Sequence, residues 1–391
     1  MAVLNPFLTG VVGAIVSLQL LILANMSYLY GTAYRDSLRY NSMKVLYVDY
    51  DGGAVGQSVT TAYTQIQGPE FPTVHQHTQE EYPTKQDIQE AVCKGGYWGA
   101  IYSGLGASSR INDALFSTDS AKAAVYPAYA QGMYSNLAQL SQAAAAVYKQ
   151  ASLTAALSAV NVSDPYIAKT VLDPVSSTST DIQPMSQGVR FYYNTVSMVM
   201  PIIIQFFFIM AIGGISAQIN NFNTFSPRQN TILRFIISVC YTFVAALVVT
   251  GYIWAFRESW DVSFGQFALT WMAIWLAMHV HFLFIDFATS VIPMPFVPFF
   301  VLTWIILNVS STIGPFELSP GFYRIGYVFS AHSLYELLLQ IWTEGCNPHL
   351  YRAFPILWCE WVVALVLFVV GMGIRTKSSL KTFFSKESSK V

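Results

Sequence analysis

Charge is scarce in this chain. Asp, Glu, Lys and Arg make up 10% of its 391 residues, while hydrophobic residues make up 54%. A soluble chain of that length needs far more charge to cover its surface, which excludes an ordinary water-soluble globule. The net charge is -1 and no cluster of Lys and Arg forms a basic arm, which excludes a nucleic-acid partner. The four cysteines lie far apart with no C-x-x-C pair, so neither a zinc ribbon nor a thioredoxin-like motif is present. No Gly-Lys dipeptide occurs, and a Walker phosphate loop is therefore ruled out. The first apolar run lacks a basic leader and no A-x-A site closes it, so it reads as a signal-anchor rather than a cleaved signal peptide.

What is present is a set of long apolar runs. A bilayer core of roughly 30 Å needs about 20 apolar helical residues. Residues 6–30, 195–219, 231–254, 264–287, 291–309 and 355–374 meet or approach that length. The expected fold is an α-helical polytopic membrane protein with about six transmembrane helices. Six spans put both termini on one side. The tail 375–391 carries Arg375, Lys377, Lys381, Lys386 and Lys390 against Glu387, which marks it as cytoplasmic. Arg228 in the short loop before the third run agrees, whereas Arg35, Arg39 and Lys44 after the first run oppose it. Long loops largely escape the charge rule, so residues 31–194 are placed outside the cytoplasm.

That segment has the pattern of an α/β domain between the first and second spans. Residues 44–51 (KVLYVDYD) read as a buried strand, and Gly52-Gly53 turns into a helix over 54–66. A helix over 84–93, a strand over 97–102 and an edge strand over 123–129 follow. An Ala-rich helical stalk covers about 131–160, and the Ser/Thr/Pro-rich stretch 176–187 reads as a linker. Within the five-helix membrane domain 195–374, the segment 319–342 holds two apolar pieces too short to cross a bilayer. It reads as a re-entrant or interfacial hairpin before the last span. Pro293, Pro295 and Pro298 break the fifth run beside it, an arrangement with which transporters build sites at depth. An irregular external cap is the plainer alternative.

Polar residues inside the runs are few enough to name. Glu360, His279 and Arg234 are candidates for a transport cavity, because ionisable groups within the hydrocarbon are costly. Their plainer reading is a position near the headgroups, with Arg234 snorkelling. His279-x-His281 with Asp286 suggests a metal. However, residues two apart on a helix differ by about 200°, and residues seven apart are separated by about 10 Å. No metal, cofactor or catalytic residue is assigned, since no nucleophile, base and oxyanion donor come together. Asn161-Val162-Ser163 is an external glycosylation sequon. Those at Asn25 and Asn308 fall in or against the bilayer. Trp254, Trp260, Trp342 and Trp361 read as an interfacial belt, with a cage for organic cations as the minority reading. Cys93 and Cys346 both fall on the oxidising side, which makes them a candidate disulfide, with two unpaired thiols as the plainer reading.

The order of these features carries a resemblance. A long first span precedes VLYVDYDGGAVGQSV and GGYWGAIY, and four clustered spans precede ELSPGFYRIGYVFSAHSLYE and a last span. This resembles the fungal nitrosoguanidine-resistance family, a domain of unknown function related to the membrane half of type-2 ABC exporters and to phage-infection proteins. The resemblance covers nearly the whole chain, and SPGFYRIGY is its most specific part. It implies a plasma-membrane or endomembrane protein linked to tolerance of toxic compounds, without a shared catalytic motif, and it implies a homodimer. Proteins of that kind carry a cytoplasmic arm before the first span; about five residues precede it here, so the resemblance implies nothing about cytoplasmic regulation. The leading expectation is a transporter-like permease that exports or translocates a hydrophobic small molecule or lipid. A non-transporting scaffold or regulator and a membrane-embedded biosynthetic enzyme are the alternatives.

Overall fold

A computed structural model describes residues 4–109, 120–125, 130–159, 176–182, 189, 192–218, 226–258, 260–347 and 349–388. Helix α1 (Leu4–Thr32) leads through a 3-10 turn, Asp36–Ser42, into the α/β domain. The domain runs β1 (Lys44–Asp49), α2 (Ala54–Ile66), β2 (Thr73–His77), α3 (Lys85–Cys93), β3 (Gly99–Ser103), β4 (Ser120–Val125), α4 (Ala130–Ala159) and β5 (Ser176–Asp181). Its sheet has the order β2-β1-β3-β4-β5, with the first three strands parallel.

Strand β1 is central, and its alternation assigns its two faces. Val45 and Tyr47 pack with Val59, Ile101, Leu137 and Leu140 under α2 and α4. Leu46 and Val48 pack with Ile88, Val92 and Ala100 over α3. Burial on both faces explains why this strand is a continuous apolar run. Helix α3 begins on a capping box in which Thr84 and Asp87 exchange hydrogen bonds. These bonds from Thr84 hold the Asp87 carboxyl below its ordinary range. The stretch expected as a linker over 176–187 instead opens with β5, which pairs parallel to β4. The third strand lies at Ser120–Val125 rather than 123–129.

The membrane domain contains α5 (Val196–Gln218), α6 (Pro227–Ala255), α7 (Phe264–Val291), α8 (Val297–Ser310), α9 (Ser330–Trp342) and α10 (Leu350–Ser388). Among the described residues four helices are long and apolar enough to cross a membrane: α5, α6, α7 and α10. The fifth expected span is cut down. Pro293 precedes and Pro295 lies within a 3-10 turn, Met294–Phe296, so α8 starts at Val297. Its 14 residues reach about 21 Å at 1.5 Å per residue. The segment 319–342 forms a 3-10 turn, Gly321–Val328, followed by α9.

Helix α7 is the hub. More than half of its apolar window is buried, against a third or less for the other three long helices. Ile274, Phe282 and Leu283 of α7 pack with Ile202, Val249, Leu338, Leu357 and Phe368 from four neighbours. Helix α10 turns Val362, Val366, Val369 and Val370 outward, as a lipid-facing row does. At the α7–α10 crossing, a Cβ added to Gly371 would meet Ser290 Oγ at 2.8 Å and Phe287 Cα at 3.3 Å. Only glycine allows that approach. Helix α1 packs on α8, where Asn25 donates to Thr303 Oγ1 at 3.1 Å.

Candidate functional site

Polar residues of α6, α7 and α10 meet at one end of the bundle. Arg234 lies about two turns into α6, and Asp286 lies about a turn and a half from the end of the antiparallel α7. Arg234 Nη2 and Nε donate to Asp286 Oδ1 at 2.5 and 3.1 Å. Arg375 of α10 donates to Asp286 Oδ2 at 2.8 Å, and its other nitrogen binds the Asp286 carbonyl and Thr289 Oγ1. Asp286 is 1% exposed. One carboxylate thus pairs with two guanidiniums, leaving the cluster a net +1, and ties three helices together. Arg375 is therefore a bundle residue, and α10 runs on through the expected tail. Position along each helix makes Arg234 and Asp286 partners, because an antiparallel pair brings a start and an end to one level.

Nearer the middle of α7, His279 and His281 diverge. Trp361 donates its indole N–H to His279 Nδ1 at 3.0 Å. An indole nitrogen only donates, so the His279 proton lies on Nε2, which faces Ser238 Oγ at 3.1 Å. His281 Nδ1 accepts from Trp304 of α8 at 3.2 Å. Indoles thus occupy the Nδ1 lone pairs of both rings, on different sides of α7. Among the described residues no three His, Cys, Asp or Glu side chains cluster as a metal site.

Above His279, helices α6, α7, α9 and α10 enclose a cleft of about 1000 Å³. Its walls are apolar and aromatic, with Phe235, Leu269, Trp275, Leu337, Trp358 and Trp361 among them. The polar points are His279, Gln266, Gln340 and Glu344. Trp275 Nε1 and Gln340 Oε1 are buried without hydrogen-bond partners among the described residues. Gln266 caps α7 through Ser263 and also donates to the Ile341 carbonyl at 3.0 Å, which pins the wall made by α9. Trp342 is buried against Thr270, and Trp361 serves His279, so these two indoles hold the bundle together rather than forming a surface belt.

Of the three expected cavity residues, His279 lines this cleft. Arg234 faces a separate small cavity beside Asn230 and Met372. Glu360 is not among the cleft's lining residues, although its neighbour Trp361 is. The Glu360 Oε2 atom is buried and has no hydrogen-bond partner among the described residues. Asn161 lies outside the described residues. Cys93, ending α3, and Cys346, preceding α10, are bonded, with Cα atoms 4.3 Å apart across 253 residues of sequence. Sequence reading missed the wall residues of the cleft, since apolar side chains in an apolar helix carry no distinguishing signal.

A family model described as a protein of unknown function, DUF3533, matches residues 14–367. The chain belongs to that family. The match runs from α1 through the α/β domain into α10, so the family is defined over the domain and the bundle together. Its description assigns no reaction, ligand or partner.

Proposed function

We propose that this chain is a transporter-like permease that exports or translocates a hydrophobic small molecule or lipid through the cleft above His279. The observation that carries this reading is the cleft itself: about 1000 Å³, walled by apolar and indole side chains, with a few polar points at fixed positions. Ligand sites for apolar molecules have that character. The reading includes six spans, with α1 and the broken α8 added to the four long apolar helices. It places the α/β domain outside the cytoplasm, with glycosylation at Asn161, in a plasma membrane or endomembrane. The kinship with exporter membrane halves, the homodimer and the link to compound resistance belong to the same proposal.

Flux in liposomes tests it. Purified protein reconstituted with a short-chain fluorescent phospholipid or a lipophilic dye should move the probe between leaflets or into the lumen. Ala273→Trp, which fills the cleft from α7, should abolish that movement while leaving the fold intact. Equal flux in that variant, or none in the unaltered protein with either probe, would count against a permease. For topology, Asn161→Gln should remove a glycosidase-sensitive gel shift, and a tag near Ser177 that is protected in intact cells would invert the orientation.

A further inference from the structure

A second cavity, of about 130 Å³, lies between the α/β domain and the membrane domain. Tyr97 and Trp98 wall it from the domain side, and Phe316, His332, Tyr335 and Glu336 wall it from the bundle side. The Cys93–Cys346 bridge joins the elements on either side, since the cavity is also lined by Gly95 and His349. It lies across α9 from the cleft above His279 and shares no lining residue with it, and its chemistry is independent of the permease reading.

Two acceptors, one turn apart on α9, lie side by side in this cavity with no donor bridging them among the described residues. His332 donates from Nδ1 to the Ser311 carbonyl at 3.0 Å, which leaves a lone pair on Nε2. That atom is buried and has no hydrogen-bond partner among the described residues, on a residue only 8% exposed. The Glu336 Oε1 atom lies 3.7 Å from it. The other carboxylate oxygen, Oε2, already accepts from Asn347 and His349, each at 2.7 Å. Burial pushes the His332 imidazole down to about 4, so it is neutral at physiological pH. Burial would raise Glu336, but the hydrogen bonds from His349 and Asn347 hold it below the ordinary carboxylate range.

A buried acceptor without a donor, such as His332 Nε2, is costly, and the missing group must bring hydrogens. The carboxylates outnumber the guanidinium on its walls: Glu317 and Glu336 oppose Arg352. Arg352 is already engaged over the Tyr327 ring, 4.2 Å from its centroid. The remaining rings, Tyr97, Trp98, Phe316 and Tyr335, supply the faces that favour an organic cation over a hydrated ion.

We infer that this cavity is a binding site for a small organic ammonium, its N–H groups bridging His332 Nε2 and Glu336 Oε1 and its carbon body lying against the aromatic walls. One nitrogen with two N–H bonds reaches both acceptors across the 3.7 Å gap. The site sits where the domain meets the bundle, so an occupant contacts both.

The test uses the purified full chain in detergent with 2-phenylethylammonium as the probe and 2-phenylethanol as its neutral counterpart. Titration calorimetry should show the ammonium binding at least tenfold more tightly than the alcohol. Glu336→Gln and His332→Phe should each weaken the ammonium tenfold or more. Leu339→Trp, which fills the cavity from α9 and keeps both acceptors, should abolish binding and serves if the first two variants misfold. Equal binding of the alcohol, or no binding of the ammonium to the unaltered protein, would overturn the assignment. Zinc chloride displacing the probe stoichiometrically, with Zn²⁺ binding lost in His332→Phe, would overturn it in favour of a metal site.

Discussion

Arg375 donates to Asp286 across 89 residues of sequence, and Arg234 reaches the same carboxylate from the opposite side. Removing the carboxylate leaves two guanidiniums buried without a counter-charge. Asp286→Ala should lose on the order of 3–5 kcal/mol, the cost of breaking a buried pair from one side. The triple replacement Arg234→Met, Asp286→Leu and Arg375→Met should lose clearly less, because no charge then remains buried. Thermal midpoints in one detergent decide the matter, and a triple variant no better than Asp286→Ala would show that packing dominates.

The Cys93–Cys346 bond fastens the α/β domain to the start of α10. Peptide mapping without reductant should recover the two cysteines as one linked peptide, while Cys240 and Cys359, which face outward, alkylate as free thiols. For a loop this long the chain-entropy model gives roughly 5 kcal/mol. Membrane insertion already restrains the ends, so Cys93→Ser with Cys346→Ser should lose less than that. Limited proteolysis should then cut the domain junction faster. Unchanged cleavage would mean that Leu318, packed into the domain core, is enough to hold it.

At Gly371 the α7 and α10 backbones come too close for a side chain. Gly371→Leu should force the two helices apart and destabilise by about 1–3 kcal/mol. Gly373, with nothing within 4 Å of an added Cβ, is the internal control, and Gly373→Leu should be near neutral. Similar losses at both positions would contradict the close crossing.

Acid should weaken the junction between the domain and the bundle. The His332 imidazole is pushed down to about 4 from an ordinary 6.5, so between those values the unfolded chain binds a proton that the folded chain does not. Stability therefore falls as pH drops from about 6.5 to 4. Glu336, held below its ordinary range, acts in the same direction: its contribution is present above the ordinary carboxylate range and is lost as pH falls through the folded value. Tyr97, Glu317, Tyr327, Tyr335, His349 and Arg352 are the other charged or titratable side chains around the cavity, and His332→Gln leaves all of them in place. Thermal midpoints at pH 7, 5.5 and 4.5 should fall less steeply in His332→Gln than in the unaltered protein. Parallel curves would remove His332 from the account.

Glu360 gives the last test. Its buried, unpartnered Oε2 is costly as a carboxylate and less so as an amide. Glu360→Gln should preserve or raise the thermal midpoint, while loss of probe flux in the same variant would tie the residue to transport. Full flux would leave it a structural position.

The sequence by itself determined the membrane class, the four long apolar helices and the alternating strands and helices of the domain core. Those signals are local: span length is set against bilayer thickness, and burial on both faces writes itself into 44–51 as a continuous apolar run. Only the tertiary structure decided which polar residues meet. A helix that is apolar all round has no stripe to fix its rotation, so nothing in the run 264–287 says that His279 faces α10 while His281 faces α8. The same holds for the Arg234–Asp286–Arg375 cluster and the cleft. Each joins residues from separate helices, and packing around α7, rather than any local pattern, sets the distances between them. His332 and Glu336 are one turn apart on α9, and only packing against the domain makes them the wall of a cavity.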